Sequence, residues 1–140
     1  MARFLDSSVF LHAFLKPRKK LSAKERSVKE AAKEIIYRVE RGEPVCISVV
    51  HISEVANIVE SRLGLSKSIG LVAWLLDVEN VEIVGVSVED YEDALALSQE
   101  YMVSINDALA YLIMKEKGIK AIYTFDRHFK NFKDIEILPK

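Results

Sequence analysis

The sequence contains a single cysteine, Cys46, among its 140 residues. One cysteine excludes an intrachain disulfide and a zinc site built from several thiolates, and it is compatible with a reducing cytosol. The five glycines are scattered, which excludes a glycine-rich phosphate-binding loop. No apolar run reaches the ~18 residues that suggest a membrane-spanning helix, and the N-terminus lacks the pattern of a signal peptide. We therefore expect a cytoplasmic protein without a membrane partner.

Neither sign of charge is in excess, because 20 lysines and arginines face 21 aspartates and glutamates, for a net charge of -1. A nucleic-acid partner would therefore need a local basic patch rather than overall charge. The length fits one compact domain, predicted to span residues 1–140. A hydrophobic share of 50% argues against a disordered chain.

Short apolar runs alternate with helical patterns along the chain. Serine capping boxes at Ser22 and Ser87 mark two of the helix starts. Strands are predicted at 2–5, 45–47, 81–86, 121–125 and 135–138, and helices at 7–15, 22–41, 49–63, 66–77, 88–101 and 107–117. This alternation predicts an α/β fold, a three-layer α/β/α sandwich around a mostly parallel sheet.

Acidic residues occur where elements of this pattern begin or end. Asp6 and Asp126 follow apolar runs at opposite ends of the chain, and the carboxyl ends of parallel strands meet at one edge of a sheet. Glu54 shares a helix stripe with apolar residues, so its carboxylate needs a partner or a cleft. Asp107 begins a very apolar helix. We expect these four side chains to meet at the carboxyl edge.

Carboxylates held close together repel, and a hard divalent cation such as Mg²⁺ or Mn²⁺ is the usual reason for gathering them. Such an ion activates water and offsets charge on a phosphate, which suits hydrolysis of a phosphodiester. Each acid also has a structural interpretation. Asp6 could cap a helix, Asp107 could complete a capping box begun by Ser104, and Asp126 could be a turn residue; Glu54 has the weakest such alternative.

The order Asp6, Glu54, Asp107, Asp126 resembles the PIN domain, in particular the toxin nucleases of VapBC-type toxin–antitoxin pairs. The matching segments are 4–9, 47–55, 105–110 and 122–129. The last contains the Thr-x-Asp-x-x-Phe run that family members typically carry. The resemblance implies an α/β/α sandwich, Mg²⁺- or Mn²⁺-dependent cleavage of RNA, frequent homodimerisation and inhibition by a cognate antitoxin.

By this resemblance, Asp6, Glu54 and Asp107 would be the core metal ligands. Asp126 would complete the catalytic pocket, and the Thr124 hydroxyl would support it. Ser8 stands where many members have asparagine, and it is predicted as a second polar support.

Two basic segments are candidates for RNA binding. Arg127, His128 and Lys130 follow Asp126 directly. A basic loop follows the first helix, where a solvent-facing role is the alternative; its members are Lys16, Arg18, Lys19 and Lys20. The three histidines have no metal-ligand spacing among themselves, and His12 is predicted to be a buried core residue.

The residues leave several functions open. The first is a metal-dependent endoribonuclease, the toxin of a toxin–antitoxin pair. The others are an RNA-processing nuclease that is not a toxin, and a PIN-like module that binds RNA or protein without cutting. A receiver-type phosphoacceptor is disfavoured, because that class has paired acids at the end of its first strand, where Asp6 is followed by Ser7.

Overall fold

A computed structural model describes residues 2–15 and 19–140. Within these residues the predicted elements are all present, with bounds that differ by one or two residues. The strands are β1 (Arg3–Leu5), β2 (Val45–Ser48), β3 (Val81–Val84), β4 (Ala121–Tyr123) and β5 (Glu136–Leu138). The α-helices are α1 (Ser7–Phe14), α2 (Ala23–Glu40), α3 (Val49–Leu63), α4 (Leu65–Asp77), α5 (Val88–Tyr101) and α6 (Ile105–Lys117). A 3₁₀ helix (Arg127–Asn131), which the sequence did not predict, connects β4 to β5.

The five strands form one sheet in the order β3-β2-β1-β4-β5, and every neighbouring pair is parallel. The chain runs outward from β1 through β2 to β3, and then returns to β4 on the other side of β1. The strand order therefore reverses between β1 and β4. This is the position at which open parallel sheets form a crevice outside their carboxyl ends.

Helices cover both faces of the sheet, so the predicted α/β/α sandwich is confirmed. Alternate strand residues point to opposite faces. Leu5 and Ile47 belong to the core formed with α1 to α4, whereas Phe4 and Cys46 belong to the core formed with α5 and α6. Cys46 is fully buried, and burial raises the pKa of its thiol to about 11.

The serine caps form as predicted at Ser22 and Ser87, where both reciprocal bonds of the capping box are present. The expectation for His12 was wrong. His12 lies on the exposed side of α1 with its ring edge against Phe125, because the buried stripe of this helix runs through Phe10 and Ala13 instead. Among residues 2–15 and 19–140, no helix combines the length and apolar character needed to cross a membrane.

Candidate metal centre

The four predicted acids meet at the carboxyl edge of the sheet, on either side of the strand-order reversal. Asp6 connects β1 to α1, Asp126 follows β4, Glu54 lies on α3, and Asp107 lies in the first turn of α6. Within each of two groups, the possible ligand atoms all lie within 4.8 Å of one another. We call these groups the Asp6 cluster (Asp6, His51 and Glu54) and the Asp107 cluster (Asp107, Asp126 and His128).

Asp6 is fixed by the pairing of β1 with β4. Leu5 is in register with Tyr123, and the Asp6 amide donates to the Tyr123 carbonyl at 3.0 Å. This register places Asp6 beside Thr124, whose hydroxyl donates to Asp6 Oδ2 at 2.7 Å. Although Asp6 occupies the N-cap position of α1, its side chain makes no capping bond. The helix-cap interpretation therefore does not account for this carboxylate.

Ser8 and Thr124 together form a polar support beneath Asp6. The Ser8 hydroxyl also donates to Asp6 Oδ2, at 2.6 Å. Ser8 Oγ accepts from the Phe125 amide and Thr124 Oγ1 accepts from the Asp126 amide, both at 3.0 Å. Each hydroxyl has one proton, and both hydroxyls donate it to the same oxygen of Asp6, which fixes the orientation of this carboxyl group.

Glu54 is half-buried, and Ser7 is the polar partner that its apolar surroundings require. The Ser7 hydroxyl donates to Glu54 Oε1 at 2.9 Å. Ser7 is the first residue of α1 and Glu54 lies in the second turn of α3, so this bond joins the two helices at the sheet edge. The local sequence around Ser7 does not predict this role.

Asp107 is the most constrained of the four acids. Its amide donates to Ser104 Oγ at 3.1 Å, but its carboxylate makes no return bond of the kind seen at Ser22 and Ser87. Asp107 Oδ2 is instead buried without a hydrogen-bond partner among the described residues. Burial, together with the negative charges of Asp126 and Asp6, raises the pKa of Asp107 to about 7. The capping interpretation explains the backbone of this residue and leaves its carboxylate unexplained.

Asp126 combines a structural role with its place in the cluster. Its Oδ1 accepts from the His128 amide at 2.9 Å and so caps the 3₁₀ helix, as the turn interpretation expects. The same oxygen lies 2.9 Å from His128 Nδ1. Arg127 and Lys130 are exposed on this short helix, directly beside the acids.

The basic loop after α1 is only partly described. Lys16 and Arg18 lie outside the described residues. Lys19 and Lys20 are exposed, and the eight-residue helix α1, about 12 Å long by its rise per residue, separates their loop from Asp6. Their role in RNA binding stays a prediction.

His51 is a residue of the site that the sequence analysis missed. It is completely buried, its Nδ1 lies 2.6 Å from Ser48 Oγ, and its Nε2 has no hydrogen-bond partner within residues 2–15 and 19–140. Burial lowers its pKa, against the opposing effects of Asp6, Glu54 and the nearby Asn106 backbone. The available signal was its position three residues before Glu54, on the same face of the helix.

The sequence matches the PIN domain family over residues 3–135. The chain belongs to the PIN domain family. Comparison with curated proteins gave no match. The PIN assignment agrees with the α/β/α sandwich described above.

Solved structures share this PIN fold at low sequence identity. VapC20 from Mycobacterium tuberculosis, described as a toxin that cleaves the sarcin–ricin loop, is 22% identical with a TM-score of 0.73, over 99% of this chain and 100% of that chain. A toxin–antitoxin complex from Klebsiella pneumoniae is 16% identical with a TM-score of 0.65, over 99% and 97%. VapBC2 from Rickettsia felis, bound to a fragment of its promoter DNA, is 13% identical with a TM-score of 0.64, over 98% and 97%.

The acids of this PIN domain protein fit a divalent cation. Each cluster contains two carboxylates, whose combined charge one divalent ion would neutralise. In the described part of the chain, no lysine or arginine forms an ion pair with any of the four acids. The buried, unpartnered Oδ2 of Asp107 is an oxygen of the kind that Mg²⁺ or Mn²⁺ binds.

We predict that the raised pKa of Asp107 makes the ion-free protein less stable as pH rises from about 4 to about 7. The unfolded chain releases this proton near its ordinary pKa of about 4, whereas the folded protein retains it up to about 7. Urea unfolding in EDTA should show that Asp107→Asn gains stability relative to the unmodified chain across this range. The slope of the difference would approach about 1.4 kcal/mol per pH unit for one proton.

The difference in unfolding free energy between Asp107→Asn and the unmodified chain reports on Asp107, because both chains contain His51. The lowered pKa of His51 acts in the opposite direction, because the unfolded chain then binds the additional proton. A stability difference that does not vary with pH would contradict the prediction.

Proposed function

We propose that the protein is a divalent-metal-dependent endoribonuclease, the toxin of a VapBC-type toxin–antitoxin pair. The observation that supports this most is the convergence of four carboxylates from four separate segments, with the Asp107 Oδ2 buried and unpartnered. A purely structural role would leave such groups paired, because unpaired buried polar atoms are costly. Membership of the PIN family agrees with a nuclease at this position.

In this proposal Asp6, Glu54 and Asp107 hold Mg²⁺ or Mn²⁺, and Asp126 completes the pocket. The ion would activate a water molecule and offset negative charge on the phosphate that is attacked. Ser8 and Thr124 hold Asp6 in one orientation, and Ser7 does the same for Glu54. The protein therefore contributes mainly positioning, which is the main requirement for in-line attack on a phosphodiester.

A cleft beside Glu54 offers space for an RNA strand. Its volume is about 340 Å³, and Asn57, Tyr91 and Asn106 contribute to its lining. Aromatic and amide side chains suit unpaired bases, which can stack and form hydrogen bonds. Arg127, His128 and Lys130 are the proposed phosphate contacts on the other side of the acids.

The proposed protein partners are a cognate antitoxin and a second copy of the chain. Two of the structurally similar proteins are described as a toxin–antitoxin complex and as a VapBC pair. An apolar cavity of about 410 Å³ between α1, α2, α3 and α4 provides a surface for a protein partner. Phe14, Ile36, Leu63, Leu71 and Trp74 contribute to its lining.

We predict that purified protein cleaves RNA with Mn²⁺ or Mg²⁺ and that EDTA abolishes cleavage. Suitable labelled substrates are an unstructured RNA and a sarcin–ricin loop hairpin. Asp6→Asn, Glu54→Gln, Asp107→Asn and Asp126→Asn should each lower the rate. For the three core ligands the loss should reach about 100-fold or more, the upper end of what losing an indirect partner of a metal site costs.

The matched control is Asp77→Asn, an exposed aspartate at the end of α4, beside the amino edge of the sheet. It should leave the rate unchanged. Cleavage that persists in EDTA, or equal losses in Asp77→Asn, would contradict the proposal. RNA binding without cleavage under any metal would favour the non-cutting module.

We predict that Thr124→Val lowers cleavage about 10- to 100-fold, the usual cost of losing a partner that orients a metal ligand. Valine retains the shape of threonine but cannot donate to Asp6 Oδ2 or accept from the Asp126 amide. Thr124→Ser, which retains the hydroxyl, should recover most of the rate. Equal losses in both variants would show that packing, not the hydroxyl, is what Thr124 contributes.

The toxin role predicts growth arrest when the chain is expressed without an antitoxin in a bacterial host. Asp107→Asn should remove the arrest at the same protein level, because the arrest depends on cleavage. Normal growth with a chain that cleaves RNA in vitro would favour an RNA-processing nuclease instead.

A further inference from the structure

His51 is a buried polar side chain that the described residues satisfy at only one of its two ring nitrogens. Its relative exposure is 0%, and its Nε2 makes no hydrogen bond. The ring lies edge-on against Phe4, with ring centroids 5.1 Å apart, so the side chain is packed in one orientation. A buried imidazole with a free nitrogen needs a reason, because buried polar groups are normally paired.

The unpaired nitrogen belongs to a side chain that borders two carboxylates. A ring nitrogen of His51 and one carboxylate oxygen from each of Asp6 and Glu54 lie within 4.8 Å of one another. Nδ1 forms a hydrogen bond with Ser48 Oγ at 2.6 Å, so Nε2 is the ring nitrogen that remains free to bind a ligand. The buried, unpartnered Nε2 therefore indicates a ligand at this position, independently of the two carboxylates.

Ser48 can hold His51 in the tautomer whose proton is on Nδ1. Ser48 Oγ accepts from the His51 amide at 3.1 Å and thereby caps α3. A hydroxyl oxygen has two lone pairs, so it can accept from Nδ1–H as well. Nε2 then keeps a free lone pair, in the arrangement that metal-bound histidines commonly show when a neighbour holds their other nitrogen.

We propose that His51 is a ligand of the metal site, contributing its Nε2 to a divalent transition-metal ion that Asp6 and Glu54 also bind. This inference rests on the proposed function and deepens it, because it specifies the donor atoms and the kind of ion. Imidazole nitrogen favours transition-metal ions over Mg²⁺, which prefers oxygen ligands. The Asp6 cluster therefore selects Mn²⁺ over Mg²⁺ more strongly than its two carboxylates alone would.

His128 provides the contrast within the same site. Its side chain is 62% exposed, and its Nδ1 is already engaged with Asp126 Oδ1 at 2.9 Å. An exposed and engaged ring is a poorer candidate for a fixed ligand than the buried ring of His51. His12 lies on the exposed side of α1, so the three histidines of the chain occupy three different environments.

The test is electron spin-echo spectroscopy of Mn²⁺ bound to the full chain, prepared with ¹⁴N- or ¹⁵N-histidine after removal of other metals. We expect a nitrogen coupling that changes with the isotope, disappears in His51→Asn and persists in His128→Asn and His12→Asn. The isotope comparison uses the unmodified chain and shows whether any histidine nitrogen binds the ion. If His51→Asn fails to fold, persistence of the coupling in both His128→Asn and His12→Asn, the variants of the two exposed histidines, still assigns it to His51. Titrations followed by the electron paramagnetic resonance of Mn²⁺ give the affinities for Mn²⁺ and Mg²⁺. The ratio of these affinities, in favour of Mn²⁺, should fall about 10-fold or more in His51→Asn.

The outcomes separate this inference from the proposed function. Bound Mn²⁺ with no histidine coupling would overturn the role of His51 and leave a carboxylate-bound ion in place. A coupling that is lost only in His128→Asn would also overturn it, by moving the nitrogen ligand to the Asp107 cluster. Failure to bind Mn²⁺ would overturn the role of His51, and failure to bind both Mn²⁺ and Mg²⁺ would overturn the proposed function as well.

Discussion

The parallel pairing of β1 with β4 is the constraint on which the rest of the site depends. These strands come from opposite ends of the chain, yet their register places Asp6 directly beside Thr124. The strand order reverses at this pair, so the helices that follow β1 and β2 diverge from the 3₁₀ helix that follows β4. The crevice that results is where the acids meet. A register shift of one residue would turn Asp6 to the other face of the sheet.

The gathered acids are tolerated because each is compensated in a different way. Asp6 accepts hydrogen bonds from two hydroxyl groups, and Glu54 accepts one. Asp126 accepts a hydrogen bond from the His128 amide and lies beside the His128 ring. Asp107 has no such partner for Oδ2, and its raised pKa lets it remain partly protonated near neutral pH. An ion that binds there must displace this proton. Asp107 thus makes the ion-free protein less stable and at the same time provides a position suited to bind a cation.

Much of this arrangement could be predicted from the sequence, for physical reasons that differ between residues. The fold and the convergence of the acids followed from periodicity and from strand ends, which are local signals. The partners of the acids did not, because Ser7 and His51 gain their roles only from packing between distant segments. His12 was misplaced since its helix is apolar nearly all round, so periodicity left its orientation undetermined. The 3₁₀ helix depends on one side-chain cap from Asp126, too short a pattern to recognise.

The Asp6–Thr124 bond spans 118 residues of sequence, which has a consequence for the order in which the molecule is made. A ribosome synthesises Asp6, Glu54 and Asp107 before it reaches β4. Until that strand emerges and docks against β1, Asp6 lacks one of its two hydroxyl donors, and Asp126 is absent altogether. The acidic pocket can therefore form only after β4, the fourth of the five strands, has been synthesised and has docked against the first.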